Sequence, residues 1–180
     1  MKIALRLWMI ALACCVQCSA LPLFAEEEAE DPPPQDTTFR NTMLALCERQ
    51  MNADEVNEAL ITIQRVVEAF PEDAYVHSRL GYVHLKRREY KEAEIAFKLA
   101  KKLDKTLVEA YVGLGLSYAE APTRGMQSYY NFRRAIAEAK RATKLDPEYG
   151  PAYRLLGEVY ERFQEDHKKA MQYYQKYVEL

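Results

Sequence analysis

Apolar residues recur every three or four positions from about Arg40 to the end of the chain. This spacing places them along one side of an α-helix, and helix-forming residues dominate the same stretch. The 180 residues include only six glycines and eight prolines, too few for a turn-rich β-structure. The pattern predicts an all-α fold.

A short motif recurs within this helical stretch. Leu80-Gly81 returns as Leu114-Gly115 after 34 residues and as Leu156-Gly157 after a further 42. An aromatic residue or a histidine stands four positions before and three positions after each glycine. These residues are His77, Tyr111 and Tyr153 before the glycine, and His84, Tyr118 and Tyr160 after it. A period of this length is typical of repeat proteins.

A second helix of each unit is marked by a small residue. Ala93, Ala135 and Ala170 occupy this position, and Phe97, Ala139 and Tyr174 follow four residues later. The whole pattern resembles the tetratricopeptide repeat (TPR) family, W-x2-L-G-x2-Y…A-x3-F…P. A more divergent copy comes first, with Met43, Leu46 and Cys47 in its first helix and Ala59, Ile63, Val66 and Pro71 in its second.

The resemblance implies four repeats, at about 40–73, 74–107, 108–149 and 150–180. It implies a right-handed solenoid of about eight helices, in which the stacked hairpins enclose a concave groove. The glycines and alanines are expected to let neighbouring helices approach closely. The third unit is longer than the second, and Pro122 and Gly125 mark its internal turn. We expect one long helix over 127–145, whose Tyr129, Tyr130 and Phe132 protrude as a packing extension or as a contact surface.

The first 25 residues are typical of a secretory signal peptide. Lys2 and Arg6 precede an apolar run that is shorter than the ~20 residues of a membrane-spanning helix. Cleavage is expected after Ala25 or after Ala20. The alternative is a lipoprotein signal that ends before Cys14, and membrane attachment is expected only if Cys14 is lipidated. Residues 26–39, rich in acids and prolines, are predicted to be a disordered linker.

The charge balance argues against nucleic acid as a partner. Lys and Arg total 25 against 27 Asp and Glu, and removal of Lys2 and Arg6 with the signal peptide makes the chain more acidic. A stripe of Arg133, Lys140, Arg141 and Lys144 on the long helix is interrupted by Glu138 and is interpreted as a solvated face. Cleavage also leaves Cys47 as the one cysteine, so that chain has no internal disulfide, which is compatible with a periplasm.

Catalytic and metal-binding motifs are absent from the sequence. His77 and His84 share a helical face, but both occupy positions that the repeat gives to packed aromatic residues. Cys47 has no spaced ligand cluster around it. Phosphate-binding glycine loops and zinc-protease motifs are missing as well. The sequence predicts a protein that is not an enzyme and that needs no metal or other cofactor.

The resemblance also implies which side chains line the groove. In this family the first helix of each hairpin faces the concave side. The implied residues are Tyr75, Ser78, Tyr82, Leu85 and Lys86, then Glu109, Val112, Leu116, Ala119 and Glu120, then Pro151, Arg154, Glu158, Glu161 and Arg162. Tyr82 and Leu116 stand where some family members carry asparagines that bind the C-terminal carboxylate of a partner. Binding of a C-terminal carboxylate is therefore not expected here. Tyr75 and Tyr82 are the expected anchors of a bound segment.

A second predicted surface is the C-terminal edge. If Met171, Tyr174 and Val178 pack inward, then Tyr173, Tyr177 and Leu180 face outward. An uncovered apolar edge favours self-association or docking of a partner.

The function predicted from these features is a non-catalytic scaffold or adaptor in a bacterial cell envelope. It binds a segment of another protein in the groove or at the edge, and a homo-oligomer through the edge is possible. Two alternatives remain open. The first is a carrier of a small envelope ligand such as a cell-wall fragment, held by Lys86, Arg154, Glu158 and Arg162. The second is an auxiliary subunit of an envelope enzyme.

Overall fold

The protein forms an array of α-helices. The structure is a computed structural model that describes residues 36–163 and 166–180. These residues contain eight helices and no strand, which confirms the predicted fold class. They belong to a single unit spanning residues 32–180. The predicted signal peptide, Cys14 and most of the predicted linker lie outside the described residues.

The eight helices follow one another with short connections. Their bounds are α1 Thr37–Asn52, α2 Val56–Ala69, α3 Ala74–Lys86, α4 Tyr90–Leu103, α5 Val108–Glu120, α6 Met126–Leu145, α7 Gly150–Phe163 and α8 His167–Glu179. Helix α1 includes the last three residues of the predicted linker, because Asp36 caps it by accepting a hydrogen bond from the Thr38 N–H at 3.0 Å. No helix in the described ranges combines the length and hydropathy needed to cross a membrane.

Local backbone chemistry sets where the hairpins turn. Asp73 caps α3 by accepting hydrogen bonds from the N–H groups of Tyr75 and Val76. The α5–α6 connection passes through Gly125, which has a φ of 59°. Glycine adopts this left-handed conformation without a steric penalty. Asp73 thus marks the start of the second hairpin, and Gly125 lies in the turn within the third.

The four hairpins stack in chain order. The second helix of each hairpin packs on the first helix of the next, and α3 contacts α5 as α5 contacts α7. The odd-numbered helices therefore lie beside one another on one side of the stack. This side is the one on which the sequence places the groove.

Close contact between hairpins depends on large side chains that meet glycine. Phe97 is fully buried between α3 and α5. A Cβ atom added at Gly81 would lie 2.7 Å from its ring, and one added at Gly113 would lie 2.1 Å from it. Leu155 of α7 fills the corresponding space beside Gly115 of α5, where an added Cβ would lie 2.7 Å away. The tightest approach, at Gly113, lies outside the Leu-Gly motif and was not predicted.

Two expectations about side-chain placement were wrong. Phe132 does not protrude from α6 with Tyr129 and Tyr130, because its ring is buried in the core formed by the last three hairpins. In α8, Met171 and Val178 face outward rather than inward, with 72% and 81% of their surface exposed.

The Gly113 contact yields a stability prediction. Replacing Gly113 with Ala is expected to destabilise the protein by about 1–3 kcal/mol, because the new methyl group overlaps the ring of Phe97. Urea denaturation of both proteins measures the difference.

Repeating the Gly113→Ala substitution in a Phe97→Leu protein distinguishes steric overlap with the ring from the change in helix propensity. The cost is expected to fall when Phe97→Leu is present, since leucine leaves the Gly113 side of the space open. An increase in stability of about 1 kcal/mol, the usual effect of replacing Gly with Ala within a helix, would show that the contact does not constrain the packing.

Candidate functional site

The odd-numbered helices present a group of tyrosines near the middle of the stack. The Tyr82 ring from α3 packs edge-on against Phe97, with 5.0 Å between ring centroids. Its hydroxyl donates a hydrogen bond to the Glu109 carbonyl of α5 at 3.3 Å. Tyr149, from the α6–α7 connection, lies near the same hydroxyl. The second and third hairpins and the connection to the fourth thus contribute to one surface.

The phenols at this surface remain neutral. Burial, together with Tyr149 and Glu109, raises the pKa of Tyr82 far above its usual range. Burial and Glu109 also raise the pKa of Tyr149. Both hydroxyls therefore keep their protons at physiological pH, and Tyr82 donates its proton to the Glu109 carbonyl.

Cationic side chains border the tyrosines. The guanidinium groups of Arg40 and Arg79 each lie 5.7 Å from the ring centroid of Tyr75. Arg79 also forms an ion pair with Glu48 of α1. The Arg79 and Tyr75 side chains are consequently held in place by the first hairpin as well as the second.

A cleft opens beside Tyr82. It has a volume of about 360 Å³ and is lined by Glu48, Met51, Asn52, Arg79, Tyr82 and Lys86. Met51 and the Tyr82 ring form its apolar part. Lys86 is exposed, and the structure shows no ion pair for it among the described residues. The cleft thus combines an apolar surface with a cation that forms no ion pair among the described residues.

The residues that the sequence assigned to the groove do not all reach this surface. Tyr75, Tyr82, Glu109 and Leu116 are half-buried, and Lys86, Arg154 and Arg162 are exposed. Ser78, by contrast, is completely buried, and Val112 and Ala119 are buried as well. Their assignment to the groove was wrong, because Ser78 and Val112 lie where one hairpin packs on the next.

The C-terminal part of the groove is a network of paired charges. Arg154 donates a hydrogen bond to Glu158 at 2.6 Å, and the Tyr174 hydroxyl donates one to Glu161 at 2.8 Å. Partial burial and the neighbouring Glu158 raise the pKa of Glu120, while Arg162 and Arg154 oppose that shift. The predicted groove residues Arg154 and Glu158 therefore bind each other in this structure.

At the C-terminal edge the tyrosines differ from one another. Tyr173 does not face outward, because its ring stacks on Tyr160 with centroids 5.4 Å apart. Tyr177 lies against the backbone at Gly150 and keeps 42% of its surface exposed, and Leu180 keeps 49%. The predicted outward position of Tyr173 was wrong.

The other reactive side chains have structural partners. Nε2 of His77 lies 2.7 Å from the Pro71 carbonyl oxygen, and Nδ1 of His84 lies 2.7 Å from Glu89. Burial raises the pKa of the Cys47 thiol, which lowers its reactivity. Within residues 36–163 and 166–180, no cluster of three potential ligands is arranged to hold a metal ion.

The helix pairs and their glycine contacts agree with an independent comparison of sequences. The family model described as "Tetratricopeptide repeat" matches residues 44–106 and 131–180, more than half of the chain. The chain belongs to the tetratricopeptide repeat family. The TPR fold is generally a scaffold for protein–protein interaction, and its members are typically non-catalytic.

Known TPR proteins resemble this chain in part. Superkiller complex protein 3 of Mus musculus is 28% identical over 130 residues, which cover 72% of this chain and 8% of that protein. A thermophilic TPR protein of Thermus thermophilus has a TM-score of 0.74 at 19% identity, covering 78% of this chain and 74% of the other. The first TPR of Spaghetti (RPAP3), bound to an HSP90 peptide, has a TM-score of 0.56 at 14% identity, covering 76% and 94%. The two structures share the fold.

The buried Ser78 supplies a test of the hairpin junction. Its hydroxyl has no hydrogen-bond partner among the described residues, whereas the buried Ser117 hydroxyl donates to the Gly113 carbonyl at 2.9 Å. Replacing Ser78 with Ala is expected to stabilise the protein by about 1 kcal/mol, because an unsatisfied buried hydroxyl is removed. Urea denaturation measures the change.

Ser117→Ala is the matched control. It removes a buried hydroxyl of α5 that is hydrogen-bonded, so stability is expected to stay equal or fall by up to about 1 kcal/mol. Equal losses in the two variants would mean that Ser78 is hydrogen-bonded in solution.

Proposed function

We propose that this TPR protein binds a segment of another protein along its odd-numbered helices, with the Tyr82 cleft as the principal contact. The observation that carries the proposal is the cleft itself, in which Met51 and Tyr82 lie beside the unpaired Lys86. The bound segment places an apolar side chain against Tyr82 and an acidic group near Lys86. Tyrosine is enriched among the residues that contribute most of the binding free energy at protein interfaces.

The tyrosine surface supports binding rather than catalysis. Its hydroxyls are neutral, and its arginines are already engaged with Tyr75 and Glu48. Such a surface holds its shape in the absence of a partner, so little ordering is required on binding. The Spaghetti TPR with its HSP90 peptide is one solved case in which a similar fold holds a peptide.

Site-specific crosslinking tests the proposal. A photo-crosslinking amino acid at Asn52, in the cleft, is expected to capture a defined protein from a cell extract, and one at Ile95 of α4, outside the cleft, is not. Lys86→Glu is expected to reduce the captured protein at least tenfold, about 1.4 kcal/mol of binding free energy.

Lys102→Glu provides the matched charge reversal. Lys102 is exposed on α4 and does not line the cleft, so this variant should capture the partner as well as the original protein does. Equal capture from Asn52 and Ile95, or equal loss in both charge variants, would refute a specific site at the cleft.

We also propose that the protein works outside the cytoplasm, in a bacterial cell envelope. The support is the sequence of residues 1–25, with its basic start, short apolar run and small residues before the acidic linker.

The N-terminus of the protein purified from cells distinguishes the processing routes. Cleavage after Ala25 or Ala20 indicates a released protein, and a lipid-modified Cys14 indicates a membrane-anchored one. An intact Met1 in a cytoplasmic fraction would contradict export.

A further inference from the structure

Helix α8 has two apolar stripes, and α7 covers only one of them. Ala170, Tyr173 and Tyr174 face α7, where the Tyr174 ring contacts Gly157. Met171 and Val178 lie on the second stripe and are 72% and 81% exposed. Exposed apolar side chains at regular helical spacing mark an interaction surface.

The residues of α4 that are equivalent to Met171 and Val178 contact the next hairpin. Counted from the repeat alanine, Met171 corresponds to Glu94 of α4, and Val178 corresponds to Lys101. The Tyr118 hydroxyl and Arg134 of the third hairpin both bind Glu94, at 3.2 and 3.1 Å. Lys101 binds Glu138 at 2.9 Å and lies 5.0 Å from the centroid of the Tyr111 ring. The outer stripe of α8 therefore occupies the position at which a hairpin contacts its successor.

Tyr174 gives the same indication. It corresponds to Phe97, which is packed against the glycine of its own hairpin on one side and against Gly113 of the next on the other. Tyr174 has its own glycine, Gly157, but remains partly exposed. A small residue at the position of Gly113 would complete the contact.

The first hairpin carries such a residue on an open face. Counted from the Leu-Gly motif and its counterpart Leu46-Cys47, the position of Gly113 is held by Ala45. Ala45 is exposed and lines a cleft of about 720 Å³ together with Asn41, Thr42, Leu46 and Arg49. The outward face of α1 thus has a small residue at the position where α5 has Gly113 against Phe97.

Side-chain sizes at the two faces match as they do at the junction of the second and third hairpins. There the large Phe97 meets the small Gly113. Tyr174 and Ala45 form another large–small pair. The same register would place Val178 against Met43, the counterpart of Tyr111, and Met171 against Gln50, the counterpart of Tyr118.

We propose that two copies of this chain associate head to tail, with α8 of one copy packed on α1 of the next. The joint continues the internal stacking of hairpins, so each copy keeps one α1 face and one α8 face available. Such a heterologous contact leads to open chains of copies rather than to a closed dimer.

Sedimentation velocity of the full chain tests this association. The average mass is expected to at least double between about 1 and 100 µM and not to level off at the dimer. Ala45→Glu and the double variant Met171→Glu/Val178→Glu should each remain monomeric, because each loses one face at exposed positions. Ile95→Glu changes an equally exposed apolar residue of α4 and should associate as the unchanged chain does.

A mixture of the Ala45→Glu chain and the double variant distinguishes a head-to-tail contact from a symmetric one. The Ala45→Glu chain keeps its α8 face and the double variant keeps its α1 face, so the mixture should form a 1:1 dimer and nothing larger. A monomer at every concentration would overturn the proposal. It would also be overturned by association of the Ala45→Glu chain alone, which would indicate a symmetric contact between two α8 faces, or by equal loss in the Ile95→Glu control.

Discussion

The packing of Phe97 between two glycines fixes the distance between the second and third hairpins. A ring that fills the space on both sides leaves no room for a Cβ atom at Gly81 or Gly113. Protein interiors are packed too densely to absorb such an overlap without displacement of a helix. The separation of α3 from α5, and with it the position of every side chain between them, follows from this contact.

The composition of the groove is a consequence of that separation. Because α3 and α5 lie close together, Ser78 is enclosed, and Tyr82 is left at the margin with its hydroxyl on the Glu109 carbonyl. The hairpins therefore contribute unequally to the surface. The N-terminal part offers tyrosines and a cation without a partner, whereas in the C-terminal part Arg154 and Glu158 neutralise each other. A bound acidic group gains more from the first part, since Lys86 can accept it without releasing an existing ion pair.

Sequence alone predicted the helices and their pairing because the signals are local. The Leu-Gly motif, the repeat alanines and the prolines each act within a few residues of where they stand. The groove was harder to predict, since exposure at one position depends on the neighbouring hairpin. Ser78, Val112 and Arg154 occupy equivalent positions, and only Arg154 is exposed.

Helix α8 shows a different limit of sequence reasoning. Ala170, Tyr173, Tyr174 and Tyr177 have helical spacing, and so do Met171, Tyr174 and Val178. Both sets satisfy the periodicity of an amphipathic helix, so the pattern does not determine which one faces α7. The structure resolves the choice through the stacking of Tyr173 on Tyr160. Phe132 was misplaced for a related reason, because it lies in the added turns of α6, for which the repeat offers no template.

The exposure of Arg154 connects the two surfaces. Its equivalents in the second and third hairpins are buried where one hairpin meets the next, so Arg154 belongs to the C-terminal face of the stack as much as to the groove. A polar pair at this face buries less apolar surface than the Phe97 junction does, and desolvating it has a cost. Contact at this face is therefore weaker than the internal contacts and reversible. The Tyr82 cleft and the head-to-tail joint both use α1, but through different residues: Glu48, Met51 and Asn52 line the cleft, whereas Ala45 and Arg49 belong to the face of the joint.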